Sequence, residues 1–302
     1  MENIINDIKR LKREKNAVIL AHYYVNDDIQ AIADYVGDSY YLAKVAKSSN
    51  ADTIVFCGVR FMGESAKILN PEKTVIMPDM GADCPMAHMV DEKKIKELRG
   101  KYSDLAVVCY INSTAEIKSL SDVCVTSSNA VRIVKALENK NIYFIPDGNL
   151  GRYVSELVPE KNFILGGGYC PVHNDFDPEE IKRFKSEHPN APVLSHPECR
   201  SEVLALTDFT GSTSELIDYT VKSENNEFII CTERGVLYEM KKRSPEKNFY
   251  PADKGRICTD MKLNTLEKLR SAIESGTNTI EISAELRQRA LIPLERMIEL
   301  GR

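Results

Sequence analysis

No stretch of this sequence approaches the roughly eighteen consecutive apolar residues that a membrane-spanning helix needs, so a membrane partner is not expected. Its 40 Lys and Arg are outnumbered by 45 Asp and Glu and form no dense basic stripe, which makes nucleic acid a poor partner. Neither GxGxxG nor GxxxxGK(S/T) occurs, so glycine-rich phosphate loops are excluded, and the run Gly166–Gly168 reads as a flexible loop beside a ligand. No CxxC pair occurs, which removes zinc-ribbon and thioredoxin-type readings. The first twenty residues, MENIINDIKRLKREKNAVIL, hold neither the apolar core nor the small-residue cleavage site of an export signal. The expected location is therefore a reducing cytoplasm, where eight cysteines serve as ligands or buried thiols rather than as disulfides. With 302 residues and 43% hydrophobic content, the chain has material for two or three cores.

What the sequence does contain is one unit written three times. A Lys-rich amphipathic segment followed by a β-branched run appears as IKRLKREKNAVILAHYY, IKELRGKYSDLAVVCYIN and IKRFKSEHPNAPVLSHPE. Aligned, they place His22, Tyr110 and His196 in equivalent positions, 88 and then 86 residues apart. Ser39, Ser127 and Ser212 follow in step, each expected just before a helix, at separations of 88 and 85. Apolar runs (TIVFCGV, IYFIPDG, EFIICTE), helical stretches and a last strand-like run come next, and then a cysteine: Cys84, Cys170 and Cys258. Alternating strands and helices predict an α/β fold of three parallel-sheet αβα sandwiches, related by a pseudo-threefold axis around a central cavity. The expected units are 1–86, 87–172 and 173–258, with 259–302 as helices packing back on the first.

One thiol per unit, always after the last strand, suits a soft metal centre. A [4Fe-4S] cube, ordinarily held by four cysteines, would keep one iron free to act as a Lewis acid on a substrate oxygen. The same residues are open to two other readings: ordinary buried thiols, and a zinc site. Cys57, Cys109, Cys124, Cys199 and Cys231 fall inside or beside apolar runs and read as core, Cys199 less firmly because His196 and Glu198 precede it. His173 in CPVH lacks a counterpart in the other units and reads as a solvated loop residue.

Ser39, Ser127 and Ser212 read as N-caps, and helix N-termini facing one centre would present free N–H groups to an anion. His22, Tyr110, Asn112, His196 and Glu198 fall at strand C-termini, where parallel sheets place their chemistry. Such a pocket suits a ligand with carboxylates and a phosphate.

The segments HYYVNDDIQAIADYVGDS, VRFMGESAKILNP, YINSTAE, VTSSNAV, PDGNLG, CPVH, HPEC and CTDMK resemble the quinolinate synthase family over nearly the whole chain. The resemblance implies a [4Fe-4S] cluster on Cys84, Cys170 and Cys258 with its fourth iron facing the substrate. It implies condensation of iminoaspartate with dihydroxyacetone phosphate to quinolinate, with loss of phosphate and two waters, in NAD biosynthesis. Transferred by position, His22, Ser39, Ser127, His196, Ser212 and Thr213 would hold carboxylates or phosphate, and Tyr24 would help to close the site. Tyr110 and Asn112 would handle the triose carbonyl and hydroxyl, with Glu198 as general acid and base. The partners so implied are the two small substrates and a transient contact with the enzyme that makes iminoaspartate. Some members carry a CxxCxxC run at the last ligand; here the chain reads CTDM, leaving Cys258 alone in that region. A zinc hydrolase with Glu198 as base and an anion-binding sensor are the rival functions.

Overall fold

The three β-branched runs become central strands because they are apolar on both faces, as a parallel strand covered by helices on both sides must be. In the computed structural model, which describes residues 2–301, β1 (Ala17–His22), β2 (Tyr35–Gly37), β3 (Thr53–Cys57) and β4 (Thr74–Ile76) form the first sheet. The second holds β5 (Leu105–Tyr110), β6 (Val123–Val125), β7 (Asn141–Ile145) and β8 (Asn162–Leu165). The third holds β9 (Val193–Ser195), β10 (Phe209–Thr210), β11 (Glu227–Cys231) and β12 (Asn248–Pro251). All pairings within the sheets are parallel, in the orders β2-β1-β3-β4, β6-β5-β7-β8 and β10-β9-β11-β12. Each sheet is flanked by helices, giving three αβα sandwiches of one topology. The strands β2, β6 and β10, two or three residues long, each lie at one edge of their sheet.

The repetition extends to partly buried polar contacts that close each unit. Asp34, Asp122 and Asp208, at equivalent places, accept the amides of Ile19, Val107 and Val193 on the central strands at 2.8, 2.6 and 2.8 Å. Each is also paired with a cation from the helix before that strand: Lys12, Arg99 and Lys185. Lys73, Lys161 and Lys247 form a second triplet, donating to carbonyls near the C-terminal ends of Ser39–Ser48, Ala130–Ala136 and Thr213–Lys222. A cation there satisfies carbonyls left over by the helix and complements the negative end of its dipole.

One continuous apolar core runs through the first two units and one face of the third sheet, with Leu194, Phe228 and Ile230, whereas Phe176, Ile181, Val193, Cys199, Val203, Ile229 and Cys231 form a separate core on its other face. The C-terminal helix Leu266–Ser275 lies against the N-terminal helix Glu2–Glu14 of the first unit. The last helix, Ala284–Leu300, divides its packing between Arg60–Leu69 of the first unit and β6, Ala115–Lys118 and Ala130–Ala136 of the second. Its buried residues Ala290, Leu294, Met297 and Ile298 recur at helical spacing, so one apolar stripe seals the seam between the two units.

Lys247 is 6% exposed and its ammonium meets the carbonyls of Thr220 and Ser223 at 2.7 and 2.6 Å. Lys247→Met is expected to cost about 2–3 kcal/mol in urea unfolding, because charged hydrogen bonds are lost and carbonyls are left unpaired. Lys47→Met, which breaks an exposed pair with Glu295, is expected to cost under about 1 kcal/mol.

Candidate active site

Because the sheets are parallel, their carboxyl ends all release side chains in one direction, and the three ends meet at a single cavity. The wall includes His22, Tyr24, Ser39, Tyr110, Asn112, Ser127, His196, Glu198 and Thr213 together with Cys84, Cys170 and Cys258. Of the residues expected there, Ser212 alone is not on the wall; it is buried behind Thr213.

The serine triplet is a correction. Ser212 is an N-cap, with a capping box to Glu215, but Ser39 is the first helical residue and Asp38 caps it. Ser127 lies in a turn, and its helix begins at Ala130 behind Asn129, whose side chain bonds the Thr126 amide instead. The true counterpart of Ser39 is therefore Thr213, one residue past the cap, and both line the cavity.

The cysteines separate by exposure. Cys57, Cys109, Cys124, Cys199 and Cys231 are buried, as expected, whereas Cys84, Cys170 and Cys258 are partly exposed and line the cavity. Each of these three is the N-cap of a one-turn helix: Pro85–His88, Pro171–Asn174 and Thr259–Lys262. Burial pushes all three thiols up, Cys258 to about 11 and the others further, and the proximity of Cys258 to Cys84 and of Cys84 to Cys170 adds to it. Thiols so placed are neutral until a cation reverses the balance by binding them as thiolates. The donor set thus fits a soft metal group. A second set, Cys170, His173 and Glu198, brings its ligand atoms within 4.8 Å of one another, compact enough for a single ion. A cluster is larger than one ion, so thiolates around it stand further apart than that.

His173 is not the solvated residue expected. It is 1% exposed, stands three positions after Cys170 on the same short helix, and meets Glu198 Oε2 through Nδ1 at 2.7 Å. Its Nε2 reaches Thr232 Oγ1 at 2.9 Å, and Thr232 Oγ1 meets Tyr24 Oη at 2.8 Å. Tyr24 Oη continues to Thr213 Oγ1 at 2.8 Å, so two hydroxyls hold the Tyr24 ring in the cavity wall. The signal available in sequence was the i, i+3 spacing of Cys170 and His173, which puts both on one helix face.

His22 and His196 form a matched pair. The Nδ1 of each accepts an amide hydrogen, from Tyr24 and Glu198 respectively, and burial lowers both imidazoles to about 3, so both are neutral. His196 Nε2 faces Ser127 Oγ at 3.2 Å. The 3.4 Å approach of His196 Nδ1 to Glu198 Oε2 is then no ion pair, since that nitrogen turns a lone pair to the amide. Burial alone would raise Glu198, but the imidazoles of His196 and His173 and hydrogen bonds from His173 and Tyr110 draw it down to about 2. These contributions outweigh burial, and Glu198 stays ionised. Glu198 Oε1 and Asn112 Oδ1 are buried without a hydrogen-bond partner, an arrangement that a polar ligand would complete.

Fold and cavity together define a pseudo-threefold α/β protein with a three-thiol centre beside an acid–imidazole pair. The chain matches the family described as Quinolinate synthetase A protein over residues 6–299, and it belongs to that family. It is 56% identical over 294 residues to a quinolinate synthase of Fusobacterium nucleatum subsp. nucleatum, covering 97% of this chain and 98% of that protein. A quinolinate synthase of Clostridioides difficile is 50% identical over 300 residues, 99% of each chain. Among the described residues no helix is long and apolar enough to cross a membrane.

The depressed values of His22 and His196 set a pH dependence. Unfolded histidines take up protons near 6.5 and the folded ones near 3, so the stability due to these neutral rings is complete above 6.5 and is lost as pH falls towards 3. The urea midpoint is expected to drop between pH 7.5 and pH 5.0, and to drop less in the His22→Gln/His196→Gln double variant. Equal drops in the two proteins would refute the assignment.

Proposed function

We propose that the chain carries out the reaction of its family in the cytoplasm: iminoaspartate and dihydroxyacetone phosphate condense to quinolinate, releasing phosphate and two waters, in de novo NAD biosynthesis. The observation that carries this reading is the meeting of three partly exposed thiols with the Glu198–His173 pair in one cavity whose wall keeps unpaired polar atoms. The units are 1–86, 87–172 and 173–258, each supplying one thiol, with 259–302 closing the assembly.

Cys84, Cys170 and Cys258 would hold a [4Fe-4S] cluster, which when bound supplies an iron free of protein ligands, suited to polarising a substrate oxygen and easing loss of hydroxide. The chain's own groups do the rest. The helices opening at Ser39 and Thr213 turn unpaired amides and positive dipole ends towards the carboxylates and phosphate, with both hydroxyls as further donors. Ser212 acts through the helix it caps. His22 and His196, neutral and with Nδ1 engaged, offer Nε2–H to anionic oxygens without adding charge. Asn112 and Tyr110 bind the triose carbonyl and hydroxyl. Glu198, ionised and with Oε1 unpaired, takes protons from the condensing carbon and nitrogen and returns them to departing oxygens. The chain of contacts through His173, Thr232 and Tyr24 to Thr213 gives that proton a route within the wall.

A second reading rests on the compact set Cys170, His173 and Glu198: a single ion such as zinc, serving a hydrolase. Metal analysis separates the two. Anaerobically purified protein is expected to contain iron and acid-labile sulfide; Cys170→Ser should abolish both together with activity, and Cys57→Ser should spare them. One metal per chain without sulfide, retained in Cys84→Ser, would favour the single-ion reading. Glu198→Gln is expected to lower turnover about 10²- to 10⁴-fold while keeping its iron; turnover within a few-fold of the parent would remove Glu198 from the proton steps.

A further inference from the structure

Two buried carboxylates stand at equivalent places two residues past the third strand of their units: Asp147 after β7 and Glu233 after β11. Both are fully buried, and each spends one oxygen on the amide of a cavity cysteine. Asp147 Oδ2 accepts from Cys170 N at 3.2 Å, and Glu233 Oε1 accepts from Cys258 N at 3.2 Å. The other oxygen of each holds the start of the following helix, through Leu150 N at 2.8 Å and Gly235 N at 2.6 Å. Lys262 lies 3.4 Å from Glu233 Oε1.

An ordinary loop does not require this. Burying a carboxylate is costly unless its hydrogen bonds are placed to compensate, and the first unit manages with Val59 at the same position. There Arg60 N bonds Ala82 O, and the Cys84 amide is taken by the neighbouring Asp83 at 2.8 Å. All three cysteine amides are thus bound to carboxylates, by two routes. A thiol on a one-turn helix points where its amide is held, because fixing N–H fixes the backbone from which the side chain leaves.

We propose that Asp147 and Glu233 are positioning residues that hold Cys170 and Cys258 in register for the shared iron-sulfur centre. The proposal rests on the cluster reading above. Neither residue is a ligand; each locks a ligand's backbone to a sheet end, as outer-shell partners of metal ligands do.

Asp147→Asn and Glu233→Gln keep the volume but replace one accepting oxygen by a donor. After anaerobic reconstitution, both are expected to bind iron about 10- to 100-fold more weakly in a chelator competition, read by iron, sulfide and cluster absorbance. Asp122→Asn, which weakens a carboxylate–amide contact to Val107 in the second unit away from the cysteines, controls for stability and should retain iron. Iron affinity equal to the parent in Asp147→Asn and Glu233→Gln overturns the proposal, as does equal loss in an equally destabilised Asp122→Asn. A parent protein that takes up no iron overturns the cluster reading itself, and the proposal with it.

Discussion

Parallel pairing is the constraint on which the rest depends. A parallel sheet sends all its strand ends the same way, so three such sheets turned towards one axis bring nine loop segments to one place without any of them being long. His22, Tyr110 and His196 stand at the ends of the first strands; Val59, Asp147 and Glu233 follow the third; Cys84, Cys170 and Cys258 follow the fourth. The cavity is therefore a consequence of topology, and its chemistry is a matter of which residue each unit places at each stop.

The units agree where the fold is held and differ where the site is built. Asp34, Asp122 and Asp208 repeat the same bond to the central strand, as Lys73, Lys161 and Lys247 repeat the same bond to a helix end. At the cavity, two residues past His22, Tyr110 and His196 stand Tyr24, Asn112 and Glu198, with three different chemistries. The threefold repetition is therefore broken at the side chains that touch the cavity.

Electrostatics divide the same wall by role. Burial keeps His22 and His196 neutral, whereas the imidazoles of His196 and His173 and hydrogen bonds from His173 and Tyr110 hold Glu198 well below the usual carboxylate range at similar depth. The rings each accept an amide, while the carboxylate meets His173 through Oε2 and keeps Oε1 without a partner.

The repeated order of apolar runs, the three in-step cysteines and the polar residues at strand ends could be read from the amino-acid sequence, because a parallel strand buried on both faces and a helix with one buried face each leave a period in the chain. So could the burial of Cys57, Cys109, Cys124, Cys199 and Cys231, which lie in or beside those runs. Tertiary structure alone decided the partners. His173 looked like a loop residue until Glu198, Thr232 and Cys170, from other stretches of the chain or the same turn, closed around it. Thr213 rather than Ser212 faces the cavity because a helix start is fixed by backbone bonds that a hydroxyl in the sequence does not reveal. Asp147 and Glu233 were invisible for the same reason: a carboxylate bonded to a cysteine amide 23 or 25 residues further on leaves no local pattern, since only folding brings the two together.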